Sequence, residues 1–137
     1  MNICGVELSG SKAIIAVIEK NNGVVNFIDC EPRKIELADD ESKDQVVSFF
    51  ETFQGFLKDK NISTVVVKKR NKKGEYSGGP VTFKLEGLIQ LSNHCDIALL
   101  APSTISSRFK KSGISHPQGC RKYQNSAFET AVAYSEL

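Results

Sequence analysis

The stretch that decides the fold is NICGVELSGSKAIIAVIE, residues 2–19. Its two halves, residues 2–8 and 12–19, are nearly continuous apolar runs, and Ser9-Gly10-Ser11 lies between them. Gly10 permits the positive φ angle that a short hairpin turn often requires. Continuous apolar runs are typical of strands that helices cover on both faces of a sheet. The stretch therefore predicts a buried β-hairpin.

One acid, Glu7, interrupts the first apolar run directly before the turn. A carboxylate is costly to bury unless it is paired, hydrogen-bonded or bound to a cation. Glu7 is therefore the first candidate site residue. The alternative is that its side chain reaches solvent or pairs with Lys69.

Length and composition limit the classes of protein that the chain can represent. The 137 residues fit a single domain over residues 1–137, and 40% hydrophobic and 25% charged residues are typical of a globular protein. A formal net charge of +2 does not by itself imply nucleic-acid binding, so that argument must rest on local clusters. The four cysteines and two histidines show no zinc-ligand spacing. Without a signal peptide or a membrane-spanning run, we expect a cytoplasmic protein with reduced thiols and no membrane partner.

The rest of the chain alternates between strand and helix patterns. Further strands are predicted at residues 24–30, 61–68 and 96–101, with residues 33–37 as a bent continuation of the third strand. Helices are predicted at residues 46–57, from Pro80 onward, at 102–111 and at 126–135. The order β-β-β-α-β-α-β-α-α predicts an α/β protein of the ribonuclease-H-like fold. We expect a five-stranded mixed sheet, in which helices flank a three-strand antiparallel meander and the parallel strands that follow it.

Three short motifs resemble those of RuvC-like nucleases. Residues 5–10, Gly-Val-Glu-Leu-Ser-Gly, resemble the opening of these enzymes, in which an acid ends strand one. Residues 83–87, Phe-Lys-Leu-Glu-Gly, resemble the helix after strand four, and residues 127–131, Ala-Phe-Glu-Thr-Ala, resemble the last helix. The whole length is also similar to a short bacterial family of unknown function with a predicted RuvC-like core.

The resemblance implies a metal site and a hydrolytic reaction. In such nucleases, acids on strand one, at the end of strand four and on the last helix hold two divalent cations, Mg²⁺ or Mn²⁺, which clamp the reacting oxygens of a phosphodiester. By this resemblance Glu7 and Glu129 are the candidate catalytic residues and metal ligands. The strand-four acid falls on Lys68 or Lys69, and we assign the replacement to Lys69, whose ammonium would pair with Glu7 and leave the site inert. Glu86 or Glu75 could supply a displaced carboxylate.

Two basic clusters predict nucleic-acid binding. The first cluster consists of Lys68, Lys69, Arg70, Lys72 and Lys73, and the second of Arg108, Lys110 and Lys111. A glycine-rich loop follows the first cluster and ends at Pro80, where the amides of a helix N-terminus attract anions. A phosphate backbone of DNA or RNA suits both clusters, and Tyr76 is a candidate for stacking on a base. The alternative is a solvated loop.

Three functional hypotheses follow, of which the first leads. In the leading hypothesis, the chain is a RuvC-like nucleic-acid-binding protein that either has no nuclease activity or is a degenerate or weak metal-dependent nuclease. The first alternative is a non-catalytic interaction module or homodimer with an inactivated site. The second is a phosphate- or nucleotide-binding protein of the actin-like ATPase type, in which the turn at residues 9–11 cradles a phosphate.

Overall fold

The structure, a computed structural model, describes residues 1–72 and 79–137, and within them one mixed sheet of six strands lies between helices. The strands are β1 (Asn2–Ser9), β2 (Lys12–Asn21), β3 (Val24–Ile28), β4 (Lys34–Glu36), β5 (Ile62–Lys68) and β6 (Asp96–Leu100). The helices are α1 (Lys43–Asp59), α2 (Pro80–Gln90), α3 (Pro102–Ser112) and α4 (Asn125–Ser135). A single 3₁₀ turn, Lys122–Gln124, precedes α4. No helix in these two ranges is both long and apolar enough to cross a bilayer.

The predicted opening hairpin and the fold class are confirmed. Strands β1 and β2 pair antiparallel over the whole length of β1, from Asn2 opposite Glu19 to Ser9 opposite Lys12. Gly10 occupies the turn with a φ of +58°, the left-handed region that glycine adopts without strain. The hairpin therefore provides the two central antiparallel strands on which the rest of the sheet assembles.

The two strands that follow the first helix run parallel to β1. Strand β5 pairs parallel with β1, and β6 pairs parallel with β5, so the sheet order is β3-β2-β1-β5-β6. Parallel neighbours require a crossover, which α1 and α2 supply. As a consequence, the carboxyl ends of β1, β5 and β6 meet at one end of the sheet, and Glu7 and Lys68 both lie there.

The sheet has six strands rather than the predicted five. Residues 33–37 do not continue β3; residues 34–36 form the separate strand β4, which pairs with the beginning of β2 from Lys12 opposite Glu36 to Ile14 opposite Lys34. Strand β3 pairs with the far end of β2, from Val17 to Asn21. The chain leaves the ladder between them, where Pro32 has no N–H group to donate.

The two faces of the sheet bury different cores. Helices α1 and α2 cover one face, where Cys4, Val6 and Leu8 of β1 pack against side chains such as Phe53 and Leu85. Helix α4 covers the other face, where Ile3 of β1 packs among Val66, Ala127 and Ala131. Because side chains alternate along a strand, Glu7 projects on the α4 face.

Main-chain contact fixes the position of α4 on the sheet. A Cβ atom on Gly5 would lie 2.0 Å from the carbonyl oxygen of Ala127 and 2.9 Å from the amide nitrogen of Ala131. The side-chain amide of Gln124 also donates to the buried carbonyl of Ile15 on β2 at 2.8 Å. These contacts hold the first turn of α4 beside the carboxyl ends of β1 and β5.

Candidate functional site

Glu7 and Lys68 lie side by side at the end of the central parallel ladder. Val6 of β1 is paired with Val67 of β5. The next residue of each strand, Glu7 and Lys68, therefore has its side chain on the α4 face. Neighbouring strands are about 4.8 Å apart, so the two side chains start next to each other. Both residues are half-buried. Glu7 forms no salt bridge with any residue in the part of the chain that the structure describes.

The ammonium of Lys68 is held by α4. Its Nζ atom donates to the hydroxyl oxygen Oγ of Ser126, 3.0 Å away, in the first turn of that helix. Ser126 is itself half-buried. We call the group formed by Glu7, Lys68 and Ser126, one residue from each of β1, β5 and α4, the lysine site.

Lys68, rather than Lys69, is the lysine beside Glu7. Lys69 follows the last residue of β5, and its amide donates to the carbonyl of Leu100 at 2.9 Å. Alternation turns its side chain to the opposite face, where it lines a groove together with Glu86 of α2. The prediction that Lys69 replaces the strand-four acid is therefore wrong by one position, because the sequence does not show to one residue where β5 ends.

Glu129 is engaged by a histidine. Its Oε2 atom lies 2.7 Å from Nε2 of His116, in the loop between α3 and α4. The imidazole also lies beside the rings of Phe109 and Phe128, with centroids 5.2 and 6.1 Å away. The structure thus brings the elements of the two predicted acids, β1 and α4, into direct contact and gives Glu129 a hydrogen-bond partner of its own.

The remaining predicted carboxylates do not join this site. Glu86 lies on α2, which packs on the opposite face of the sheet from Glu7 and α4. Glu75 lies outside the described residues, as do Lys73, Tyr76 and the loop glycines at positions 74 and 78.

A basic groove lies on the α2 face at the same end of the sheet. Its volume is about 490 Å³. It is lined by Lys69, Arg70, Asn71, Lys72, Glu86, Leu99, Ala101 and Pro102. Helix α3 begins at its wall, with Ala101 as the residue before the first turn. The positive end of a helix dipole and three cationic side chains therefore surround the space.

One donor beside this groove has no partner among the residues that the structure describes. The Nε atom of Arg70 is buried, and it has no hydrogen-bond partner among the residues that the structure describes. Buried donors in proteins are nearly always bonded, so an exception calls for an explanation. Because this atom has almost no exposed surface, it is not itself a contact point for a ligand in the groove.

Helix α3 extends the basic groove to the second predicted cluster. A shallow depression along its exposed side is lined by Ser103, Thr104, Ser107, Arg108 and Lys111. Lys110 is exposed in the last turn of the same helix. Three members of the first cluster, Lys69, Arg70 and Lys72, thus line a groove at the start of α3, and the second cluster lies along that helix. We call these two sets together the basic surface. Lys68 is not part of it, because its side chain lies on the α4 face, and Lys73 lies outside the described residues.

Two residues near the predicted acids were missed in the sequence. Ser126 lies three positions before Glu129, a spacing that puts both on neighbouring positions of a helix, and this spacing could have identified it. His116 lies in an irregular loop, where no periodicity relates it to α4. Its position follows only from the path of the chain between α3 and α4.

The lysine site does not fit a divalent metal ion. It provides one carboxylate, one hydroxyl and an ammonium, whereas Mg²⁺ prefers oxygen ligands that include carboxylates. No group of three or more His, Cys, Asp or Glu side chains that could hold a metal occurs within residues 1–72 and 79–137. The residues of the lysine site thus differ from the metal ligands that the RuvC-like resemblance implies, because a lysine ammonium repels a metal cation.

Comparisons with solved structures confirm the fold. Thermus thermophilus RuvC matches with a TM-score of 0.74 at 10% identity, over 99% of this chain and 94% of that chain. The same protein in complex with a Holliday junction substrate matches with a TM-score of 0.73 at 11% identity, over 98% and 93%. The Fowlpox virus resolvase in complex with Holliday junction DNA matches with a TM-score of 0.53 at 14% identity, over 98% and 91%. Such low identities show a shared ribonuclease-H-like fold and nothing finer.

Sequence comparison assigns the chain to a family. No curated protein matches it significantly in sequence. A family model described as a protein of unknown function, DUF3010, matches residues 1–134. This agrees with the resemblance to a family of unknown function with a RuvC-like core. The chain belongs to the DUF3010 family.

Proposed function

We propose that this protein is a RuvC-like nucleic-acid-binding protein that holds a phosphate backbone on its basic surface. The observation that carries the proposal is the basic groove, in which Lys69, Arg70 and Lys72 lie beside the first turn of α3. Phosphate oxygens are the acceptors that arginine recognises best, because the guanidinium presents several donors in one plane.

The distribution of charge supports a polyanion rather than a single small anion. Lys69, Arg70 and Lys72 line the groove, and Arg108 and Lys111 continue along α3. Glu86 is the one acid among the lining residues that the structure describes, and it lies on the α2 wall. We therefore expect phosphates to follow the α3 side of the groove and then the exposed hydroxyls of the helix.

Branched DNA is the first ligand to test, since two of the structural neighbours are complexes with Holliday junctions. Fluorescence anisotropy with a labelled four-way junction, a duplex and a single strand should show binding that weakens as salt increases. The slope of log K against log salt should be about −0.9 for each phosphate neutralised on duplex DNA. The ranking of the ligands then defines the substrate class, and an RNA duplex distinguishes RNA from DNA.

Two variants connect binding to the groove. Arg70→Ala and Lys72→Ala should weaken binding and reduce the salt slope, each by about one phosphate contact. Lys58→Ala is the matched control, because Lys58 is exposed at the end of α1, by the amino end of β5 and therefore remote from the groove. Absence of salt-sensitive binding at low salt would refute the proposal. So would equal effects of Arg70→Ala and Lys58→Ala.

Whether the protein also cleaves the nucleic acid is a separate question from whether it binds it. Because the donor set of the lysine site does not fit a divalent metal, we propose binding without metal-dependent hydrolysis. Incubation of the same DNAs with Mg²⁺ or Mn²⁺ tests this, and cleavage that Glu7→Gln abolishes would contradict it. Cleavage that Glu7→Gln leaves unchanged would exclude Glu7 as a ligand.

The other hypotheses stay predictions. A homodimer is tested by light scattering, and a dimer that does not bind nucleic acid would favour the interaction module. A phosphate cradle in the first turn gains no support, since the Ser11 hydroxyl already donates to Glu36 at 3.0 Å; thermal stabilisation by ATP would revive it. Location in the cytoplasm is likewise a prediction that cell fractionation tests.

A further inference from the structure

We propose that the ammonium of Lys68 is a built-in cation, which takes the place of a divalent metal ion between β1, β5 and α4. This inference concerns the lysine site alone and does not depend on nucleic-acid binding. It starts from the disagreement between the residues of this chain and the acids that the RuvC-like resemblance implies.

The position of the ammonium is determined by three elements. The β1–β5 ladder places Lys68 next to Glu7 on the α4 face, and the Ser126 hydroxyl accepts from Nζ at 3.0 Å. Gly5 lets the backbone of α4 rest directly on β1, so the separation between helix and sheet is fixed by the main chain. A lysine side chain is flexible when free, but this one is half-buried and bonded at its end.

The charges of the site are balanced without any bound ion. Glu7 contributes one negative charge, Lys68 one positive charge, and Ser126 none. A dication entering here would meet a single carboxylate and a positive ammonium, and ammonium groups have no lone pair to offer. Lys68 thus supplies a fixed positive charge beside Glu7, which we take to be its role.

Glu129 does not complete a metal site with Glu7. Its carboxylate is bonded to His116 at 2.7 Å, and the histidine is held beside Phe109 and Phe128. Among the described residues, Glu7, Glu129 and His116 do not form a group that could hold a metal ion.

If Lys68 is what excludes metal, a single substitution should admit it. Lys68→Glu replaces the ammonium by a carboxylate beside Glu7, and Ser126 can remain as an oxygen ligand or hydrogen-bond partner. Two carboxylates and a hydroxyl are hard donors of the kind that Mn²⁺ and Mg²⁺ bind.

The experiment measures thermal unfolding with increasing Mn²⁺. We expect no saturable change in Tm for the natural protein, and for Lys68→Glu a saturable increase of about 5–10 °C once Mn²⁺ exceeds its Kd about 100-fold. Lys58→Glu is the matched control, since it makes the same change of charge at an exposed position by the amino end of β5 and should not respond to Mn²⁺.

Further measurements cover the case in which Lys68→Glu fails to fold. Lys68→Gln removes the charge and keeps an amide oxygen, and we expect a smaller Mn²⁺ response from it. In the natural protein, Mn²⁺ should not selectively broaden the NMR signals of residues near Glu7 and Ser126.

The proposal is overturned if Mn²⁺ stabilises the natural protein and Glu7→Gln removes the effect. It is also overturned if the folded Lys68 variants do not respond. No arm uses nucleic acid, so this failure is distinct from a failure of the proposed function.

Discussion

Replacing Gly5 by alanine should separate α4 from the sheet. The added Cβ would lie 2.0 Å from the Ala127 carbonyl oxygen and 2.9 Å from the Ala131 nitrogen. Both are main-chain atoms within one helix, so no side-chain rotation can relieve the contact. The helix as a whole would have to move away from β1 by at least about 1 Å to restore the shortest distances that real Cβ atoms show.

The cost follows from that displacement. A gap of 0.5–1 Å removes roughly a quarter to a half of the dispersion energy of the atoms that line it. The affected contacts include those of Ile3, Val66 and Phe128, which are nearly fully buried on this face. Overpacking of a core typically costs about 1–3 kcal/mol, and contact between main chains belongs at the upper end. A loss of about 3 kcal/mol corresponds to a Tm lower by about 10 °C for a chain of this size.

Urea and thermal denaturation of both the natural protein and Gly5→Ala measure the effect. Gly55→Ala is the matched control, because Gly55 lies inside α1 with no heavy atom within 4 Å of the added Cβ. There the same substitution should stabilise the protein by about 0.5–1 kcal/mol, since glycine is a poor helix former. A Gly5→Ala variant as stable as the natural protein would refute the packing of α4 on β1.

Two further predictions concern the supports of the site. Gln124→Leu removes the donor to the buried carbonyl of Ile15 and should lower the free energy of unfolding by about 2 kcal/mol, because that carbonyl is left without a partner. Urea denaturation measures this loss of stability, and a loss below about 0.5 kcal/mol would contradict the prediction. Hydrogen bonds from Arg33, and secondarily from Arg121, hold the pKa of Asp29 below its ordinary value. The carboxylate therefore stabilises the fold above the pKa of the unfolded chain, and this contribution is lost as the pH falls through the lower folded pKa. Asp29→Asn should accordingly lower Tm at neutral pH and match the natural protein in strong acid; a difference that does not change with pH would disprove the assignment.

The fold could be predicted because its local signals agree with one another. The apolar runs of β1 and β2 with Gly10 between them define the hairpin, and Pro80 and Pro102 mark the first residues of α2 and α3. The separate strand β4 was missed, because a break of a few residues around Pro32 does not reveal which half of β2 the chain rejoins. Pairing of that kind is decided by tertiary contact.

The site could be predicted only to the level of elements. Parallel pairing implies that the ends of β1 and β5 meet, and the sequence placed Glu7 there. Whether Lys68 or Lys69 faces Glu7 depends on the residue at which β5 ends, and an error of one residue moves a side chain to the opposite face. The contact of Glu129 with His116 depends on a loop path that no pattern encodes.

The elements that carry the site are positioned by contacts in which the site residues take little part. Gly5, Ala127 and Ala131 determine how closely α4 approaches, and Gln124 ties its start to β2. The ends of β1 and β5 are aligned by backbone hydrogen bonds. Residues of the site can therefore change without loss of the fold, and this agrees with a TM-score of 0.74 to Thermus thermophilus RuvC at 10% identity. For the same reason we expect substitutions at Lys68 to alter what the site binds before they alter whether the chain folds.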